Sequence, residues 1–387
     1  MIRPAERLQR VPPYPFAELE RKVAAARARG VDLIDLGIGD PDLPTPSHVV
    51  EAARSAVGNS AYHRYPPNWG LEVFRREAAA YYQRRFGVEL DWRSELLALI
   101  GSKEGLAHVV WAFVDPGDVA LVPDPAYPVY RSQVLLAGGE PFALPLIEQR
   151  DFLPDLQAVP PDVARRAKLL FLNYPNNPTA GVTSLDFLAQ AVAFCREYNI
   201  LLVHDLAYAE MTYDGYVAPS ALQIQGARKC CLEFYSLSKP FNMTGWRLAF
   251  CAGAEKAVAA LAKVKSGLDS SQFSALQEAG AKALSDTPPE FLSGMNRMYT
   301  RRRDLLCDGL NRIGLDCRRP KGTFYLWPRI PAGWDSSRFT EHLLSKAGVV
   351  VTPGSAFGAC GEGFVRMALT VPEERIVVAL ERISSIT

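Results

Sequence analysis

The chain has 387 residues, of which 48% are hydrophobic, and its 43 basic and 42 acidic residues leave a formal net charge of +1. This composition allows a sizeable core divided among two or three domains. The chain lacks the charge imbalance that is typical of proteins that bind nucleic acids or anionic membrane surfaces, so we expect neither partner.

The cysteines and the apolar segments indicate a cytoplasmic protein. The seven cysteines are scattered without a C-x-x-C pair, which predicts reduced thiols. The N-terminus lacks an apolar segment of signal-peptide length, and no apolar run approaches the about 18 residues of a membrane span. We therefore expect no membrane segment.

The first predicted element is an amphipathic helix at residues 17–30 that ends at Gly30. A short strand and a loop rich in glycine and proline follow. Two more helices are predicted at about 47–58 and 71–87, with the polar aromatic loop HRYPPNWG between them.

From residue 95 onward, apolar strands alternate with helices. The strands ELLALIG, DVALVP, KLLFLNYP, ILLVHD, KCCLEFYSLS and RLAFCAG are mostly continuous apolar runs, a pattern typical of a sheet covered by helices on both faces. The alternation predicts a largely parallel, doubly wound α/β domain.

The pattern changes after about residue 285. A long charged helix leads to GTFYLWPRI, VVVTPG and FVRMALT, which together indicate a smaller α+β domain. We predict an N-terminal arm that belongs partly to the small domain at 1–45, a large domain at 46–285 and a small C-terminal domain at 286–387.

Polar side chains follow the strands at the edge where open α/β sheets bind ligands. Ser102 and Lys103 open a helix after a glycine, which makes a candidate phosphate site. Tyr127 follows the next strand and could stack on a planar ring. Asn177 follows the third strand and could hold a ligand oxygen. Taken singly, a helix cap, a core tyrosine and an Asn-Pro turn would also explain these residues.

Asp205 ends the apolar strand ILLVHD, and Tyr208 follows three residues later. A carboxylate at the end of a buried strand is costly unless a cation or hydrogen bonds meet it. The adjacent His204 points to the other face of a regular strand. We interpret this histidine as a packed core residue, with a supporting role for the site as the alternative.

The stretch SLSKPFNMTGWR places Ser236, Ser238, Lys239 and Arg247 beside apolar strands. They could form a solvated basic surface, but their position at the ligand edge favours a site. Together with Ser102 and Lys103, these residues supply a lysine and a set of anion-binding side chains, which we call the anion cup. A buried carboxylate, Asp205, and a stacking ring, Tyr127, are expected nearby. Pyridoxal 5′-phosphate has the phosphate, ring, ring nitrogen, phenolic oxygen and aldehyde that match this set.

The same stretch resembles the lysine motif of the class I/II aminotransferases, which are fold type I pyridoxal-phosphate enzymes. The motifs N-Y-P-N-N-P-T, H-D-L-A-Y, D-P-A-Y-P-V-Y and G-E-G-F-V-R-M-A-L match further signatures of that family. The resemblance covers nearly the whole chain and extends in particular to the bacterial LL-diaminopimelate aminotransferase group. It implies a mainly parallel seven-stranded sheet between helices, a smaller α+β domain and a homodimer with shared active sites.

The resemblance also implies the role of each residue in the cofactor site. Lys239 would bond to the cofactor's aldehyde and move the substrate's α-proton. Asp205 would keep the ring nitrogen protonated, while Asn177 and Tyr208 hold the ring oxygen and Tyr127 stacks on the ring. The phosphate ligands would be Ser102, Lys103, Ser236, Ser238, Arg247 and, from the neighbouring subunit, Tyr65.

Substrate binding is implied at the small domain. Arg366 would clamp the substrate's α-carboxylate through two parallel hydrogen bonds, and the backbone of Ile38 and Gly39 would close over the same group. Asn177 and Tyr127 would also contact the substrate. We expect Gly39 to be glycine because a side chain would crowd the substrate, and Gly101, Gly245 and Gly354 to serve backbone geometry.

The chain departs from the LL-diaminopimelate group at three places, one of which is the loop at 65–70 that in the family reads the distal end of the substrate. Ser271 replaces a usual glycine, Asn68–Trp69 alters the loop at 65–70, and Ser355–Ala356 replaces an expected Asn-Gly. The sequence therefore leaves the amino acid open. An aminotransferase acting on an α-amino acid and a 2-oxo acid is the first hypothesis. Lyase, replacement, decarboxylase or oxidase chemistry at the same site is the second, and a non-catalytic regulator is the third.

Overall fold

The computed structural model describes residues 2–12 and 15–386, with residues 15–19 described as helix only. Residues 1, 13 and 14 of the predicted N-terminal arm lie outside this description. The strands are β1 (Ile34–Asp35), β2 (Leu96–Leu99), β3 (Val119–Asp124), β4 (Glu140–Pro145), β5 (Ala167–Asn173), β6 (Leu201–Asp205), β7 (Cys231–Ser236), β8 (Ala249–Gly253), β9 (Tyr325–Leu326), β10 (Val349–Val350), β11 (Thr352–Pro353) and β12 (Val365–Ala368).

The α-helices are of unequal length and follow the strands in alternation through most of the chain. They are α1 (Pro15–Ala28), α2 (Ser47–Val57), α3 (Glu72–Phe86), α4 (Ser102–Phe113), α5 (Val129–Ala137), α6 (Pro161–Arg166), α7 (Leu185–Tyr198), α8 (Glu255–Ser266), α9 (Ser274–Asp286), α10 (Pro289–Arg312), α11 (Ser336–His342) and α12 (Glu373–Ser384). Helix α1 ends two residues before Gly30, where the sequence predicted its end.

A seven-stranded sheet lies at the centre, in the order β2-β8-β7-β6-β5-β3-β4. Only β8 runs antiparallel to its neighbours, so the predicted mainly parallel sheet is confirmed. Neighbouring strand residues pack into different clusters: Leu202 belongs to one that includes Phe74, whereas Val203 belongs to one that includes Val109. Both faces of the sheet are therefore covered by helices, which is why its inner strands are mostly apolar.

The C-terminal part has its own core. Strands β11, β12 and β9 form an antiparallel sheet, and β1 pairs in parallel with β10. Helices α10 and α12 pack together, with Tyr299, Leu306 and Ile376 in the cluster beside Phe324. The N-terminal segment therefore packs with this part of the chain through β1. Within the described residues, no helix is long and apolar enough to cross a membrane.

Candidate active site

A cavity of about 430 Å³ opens at the carboxyl ends of the central strands. Every site residue predicted from the sequence lines it except Tyr65: Ile38, Gly39, Ser102, Lys103, Tyr127, Asn177, Asp205, Tyr208, Ser236, Ser238, Lys239, Arg247 and Arg366. A larger groove of about 840 Å³ shares Lys103 and Tyr127 with the cavity. That groove is lined by neither Lys239 nor Asp205, so the chemistry of the site is confined to the smaller cavity.

Lys239 follows β7 at the centre of the cavity lining. Its Nζ donates a hydrogen bond to the Gly39 carbonyl at 2.9 Å and lies 5.3 Å from the centre of the Phe324 ring. Burial lowers the pKa of Lys239 to about 8, with the charges of Arg366 and Arg247 acting in the same direction and Asp40 opposing them. A lysine in this setting supplies a neutral amine near neutral pH far more readily than an exposed lysine.

Asp205 ends β6, with its side chain buried. Its Oδ2 accepts a hydrogen bond from the Tyr130 hydroxyl at 2.7 Å, whereas Oδ1 has no hydrogen-bond partner among the described residues. Burial raises the pKa of Asp205 to about 6, against the Tyr130 hydrogen bond, the Ala207 N–H and the charge of His204. Oδ1 can thus accept a hydrogen bond from a protonated nitrogen of a ligand.

The anion cup forms where α4 begins. Gly101 has φ +80°, and a Cβ at this position would overlap the Arg247 guanidinium, so the glycine permits the arginine to approach the helix N-terminus. Ser236 and Ser238 are buried beside it, and the Ser238 N–H donates to the Ser236 Oγ at 3.2 Å. Burial and the charge of Arg247 lower the pKa of Lys103. These groups can hold a phosphate.

The turn that carries Arg247 does not depend on Gly245 as the sequence predicted. Gly245 has no left-handed φ, and a Cβ there would meet nothing within 4 Å. Arg247 itself adopts φ +53°, and its Nη1 donates to the Thr244 carbonyl at 2.8 Å. The prediction for Gly245 was therefore wrong, because the arginine makes the turn itself.

Arg366 extends from β12 into the cavity. Its Nη1 donates to the Asn177 Oδ1 at 2.9 Å and its Nη2 to the Gly37 carbonyl at 2.6 Å. The guanidinium lies between two rings, 4.2 Å from the centre of Tyr325 and 4.8 Å from that of Phe357. This packing fixes the plane of the guanidinium, as two-point recognition of a carboxylate requires.

Tyr325 is a cavity residue that the sequence did not single out. Its hydroxyl lies 3.2 Å from that of Tyr208, and a Cβ at Gly39 would overlap the same hydroxyl. The sequence predicted that a side chain at Gly39 would crowd the substrate. In the structure, such a side chain would meet Tyr325 first. The aromatic residues of GTFYLW were the available signal for Tyr325.

Three further predictions can be compared with the structure. Tyr65 is 89% exposed and lies outside the cavity lining. His204 is fully buried, with its Nδ1 2.8 Å from Glu233 Oε1, as predicted for a core histidine. A Cβ at Gly354 would overlap the Gly361 carbonyl, so close backbone approach explains this glycine.

Comparisons with known proteins agree with the geometry. The model of the family "Aminotransferase class I and II" matches residues 31–383. The chain is 52% identical over 379 residues to LL-diaminopimelate aminotransferase of Moorella thermoacetica, which covers 98% of this chain and 97% of that protein. It is 48% identical over 382 residues to the protein of the same name from Aquifex aeolicus, with coverage of 99% and 98%.

Solved structures also resemble this chain over its whole length. Substrate-bound BacF from Bacillus subtilis superposes with a TM-score of 0.96 at 38% identity, covering 100% of this chain and 98% of that one. A double mutant of Thermus thermophilus aspartate aminotransferase gives 0.94 at 32% identity, with 100% of both chains covered. These likenesses confirm the expected fold type I architecture and the resemblance on which it was based.

Proposed function

This chain is an aminotransferase of the class I and II family, and from that premise we propose that it binds pyridoxal 5′-phosphate at Lys239 and uses LL-diaminopimelate or a closely related amino acid as amino donor. The acceptor is a 2-oxo acid. The observation that carries the proposal is the single cavity in which Lys239, the buried Asp205, the anion cup and Arg366 come together.

The residues of the cavity fit the proposed cofactor. The unpartnered Oδ1 of Asp205 suits a protonated ring nitrogen, and Tyr127 lines the cavity, where its ring could stack on a planar ring. Gly101 leaves room for Arg247 at the start of α4, where Ser102 supplies a hydroxyl and Ser236 and Ser238 lie nearby. A phosphate and a pyridine ring would therefore each meet groups of matching chemistry.

The proposed mechanism assigns one task to each group of the chain. When bound, the cofactor supplies an electron sink for the charge left on the substrate's α-carbon. The neutral amine of Lys239 removes the proton from that carbon, which its lowered pKa of about 8 favours. Asp205 would hold the proton at the ring nitrogen, and Asn177 and Tyr208 would hold the ring oxygen.

Arg366 orients the amino acid for this proton transfer. Its guanidinium lies over the Tyr325 and Phe357 rings, and two of its N–H groups could meet the α-carboxylate. Contact with a substrate carboxylate would add to, or replace, the hydrogen bonds to Asn177 and Gly37. The backbone at Ile38 and Gly39 bounds the same part of the cavity.

The relatives decide between the reactions that the sequence left open. Proteins about 50% identical over nearly the whole chain carry the name LL-diaminopimelate aminotransferase, which favours amino transfer over lyase, replacement, decarboxylase or oxidase chemistry. Their names also support LL-diaminopimelate as the donor. The changes at Asn68–Trp69, Ser271 and Ser355–Ala356 are the reason that the proposal extends to related amino acids.

We also propose that two copies of the chain share their active sites, as the aminotransferase family implies. Tyr65 is 89% exposed, and Leu268 and Phe273 are exposed apolar side chains. A second copy that covers them would bring Tyr65 toward the phosphate end of the neighbouring site. All seven cysteines are free thiols, which supports the proposal of a cytoplasmic location.

A donor screen tests the proposed reaction. The purified protein is incubated with pyridoxal 5′-phosphate, 2-oxoglutarate and single amino acids, and products are identified by mass spectrometry. We expect glutamate to form with LL-diaminopimelate and with few other donors. A Lys239→Ala variant, which lacks the amine that moves the proton, serves as the control. Products of elimination or decarboxylation in place of glutamate would contradict the proposal.

A further inference from the structure

Tyr130 lies directly behind Asp205 without lining the cavity. It is the second residue of α5, is 1% exposed, and donates its hydroxyl hydrogen to Asp205 Oδ2 at 2.7 Å. Asp205 lines the cavity, whereas Tyr130 does not. One carboxylate oxygen is thus held from behind, and Oδ1 has no partner within the described part of the chain.

The ring of Tyr130 is fixed by its neighbours. It stacks on Phe171 of β5 at 4.9 Å with an interplanar angle of 16°, and it meets Tyr127 edge to face at 5.9 Å. Strand β5 pairs with β6, where Phe171 is opposite Val203 and Asn173 is opposite Asp205. The hydroxyl is therefore held by the same sheet that carries the carboxylate.

The electrostatic surroundings make this hydrogen bond important. The titratable groups around Asp205 are Tyr130 on α5, Tyr127 before it, Tyr208 in the following loop and His204 on its own strand. Burial raises the pKa of Asp205, and the Tyr130 hydrogen bond is the largest of the influences that lower it. A hydrogen bond to the charged form favours that form.

We infer that Tyr130 is a positioning residue that keeps the Asp205 carboxylate charged and its Oδ1 directed into the cavity. The inference rests on the proposed function, in which Asp205, a residue of the cavity lining, would meet the cofactor's ring nitrogen. Tyr130 touches neither cofactor nor substrate in this arrangement and acts only through Asp205.

The test compares Tyr130→Phe with a matched control. Tyr174 is also 1% exposed, and its hydroxyl donates to the Phe152 carbonyl at 2.6 Å, so Tyr174→Phe removes a buried hydroxyl outside the cavity. The titration of Asp205 is followed in the cofactor-free protein by ¹³C NMR of labelled aspartate, with Asp205→Asn identifying the resonance.

We expect Tyr130→Phe to raise the titration midpoint of Asp205 by about one pH unit. A buried hydrogen bond to a charged group changes the protonation equilibrium of that group by roughly ten-fold or more. The Tyr174→Phe control leaves the midpoint unchanged. An unchanged midpoint in folded Tyr130→Phe overturns the inference. If Tyr130→Phe does not fold, Phe171→Leu removes the stacking partner instead, and a midpoint that stays in place then overturns it.

A second measurement separates positioning from a structural role. The dissociation constant of pyridoxal 5′-phosphate is measured in a double-mutant cycle with Asp205→Asn. We expect roughly ten-fold weaker binding from Tyr130→Phe in the natural background and no further loss in the Asp205→Asn background. Equal losses in both backgrounds overturn the inference. The NMR titration needs no cofactor, so a protein that binds none would contradict the proposed function while leaving the Tyr130 result readable.

Discussion

Two cations, Lys239 and Arg247, lie eight residues apart, and their surroundings give them different tasks. Lys239 donates a hydrogen bond to the Gly39 carbonyl, and burial lowers its pKa to about 8. Arg247 approaches Gly101 at the start of α4, and a guanidinium keeps its charge throughout the physiological range. One residue can therefore act as a base while the other remains an anion ligand.

Arg366→Lys tests the substrate clamp. A lysine cannot form two parallel hydrogen bonds or lie flat between Tyr325 and Phe357. We expect kcat/KM for the amino donor and for the 2-oxo acid to fall by roughly 100-fold, a loss of about 2.7 kcal/mol of transition-state stabilisation. Steady-state kinetics measure the change in kcat/KM.

Arg375→Lys is the matched control for this variant. Arg375 pairs with Asp32 at the protein surface, so its replacement is expected to leave kcat/KM within about two-fold. If Arg366→Lys behaved in the same way, Arg366 would not be the clamp.

The sequence predicted many residues of the cavity but gave the wrong reasons for Gly39 and Gly245. The order of the strands was enough to place Asp205 and Lys239 at one edge of the central sheet, whereas Arg366 was assigned to the site only by the family resemblance. The sequence could not tell which side chain approaches Gly39, because Tyr325 comes from a strand nearly 300 residues away. Tyr130 was overlooked for the same reason: its contact with Asp205 forms only when α5 packs on the sheet.

At the scale of elements, the start of α4 is anchored by a buried ammonium. Lys265 of α8 is 1% exposed and donates to Glu104 at 3.2 Å and to Asp269 at 2.8 Å. Glu104 accepts the Ile100 N–H, and Asp269 accepts the Ser271 N–H. The network therefore ties the anion cup to the loop that precedes α9.

Lys265→Met removes this anchor. Two partly buried carboxylates would lose their common partner, and we expect the free energy of unfolding to fall by about 3 kcal/mol. Urea denaturation measures the change. The control, Lys282→Met, removes an exposed lysine that pairs with Asp286 on α9 and should change stability by less than about 0.5 kcal/mol. Equal effects of the two variants would contradict the proposed anchoring.

Apolar runs predicted the central strands because these are buried on both faces. Strand β4 was not predicted: it is an edge strand with exposed positions and two prolines, Pro141 and Pro145, so it has no continuous apolar run. Helices α8 and α9 were also overlooked. Much of their buried surface is alanine or glycine, and small residues that pack closely give a weak periodic signal.

At the scale of the molecule, one chain leaves aromatic side chains exposed in two separate segments. Tyr65 and Phe273 are exposed, and the family expectation is that the loop at 65–70 reaches the site of a second copy. The predicted division after residue 285 falls one residue before the end of α9 at Asp286, and α10 begins at Pro289. We propose that the part after it, together with the N-terminal segment through β1, acts as the small domain.

Mixing two inactive variants tests the shared site. In the proposed homodimer, Lys239→Ala and Tyr65→Ala would each damage both sites. After random exchange of subunits, half of the dimers combine the two variants, and each of these has one intact site. We expect about a quarter of the natural activity to return. Activity that never exceeds the mean of the two parents would show that Tyr65 serves its own chain or has no role.

The most direct test of the central claim is to identify the lysine that carries the cofactor. The protein is incubated with pyridoxal 5′-phosphate, reduced with borohydride, digested and mapped by mass spectrometry. We predict loss of the visible absorption on reduction and a pyridoxyl phosphate group on Lys239. A label on Lys103 or another lysine in place of Lys239, or no label at all, would contradict the account.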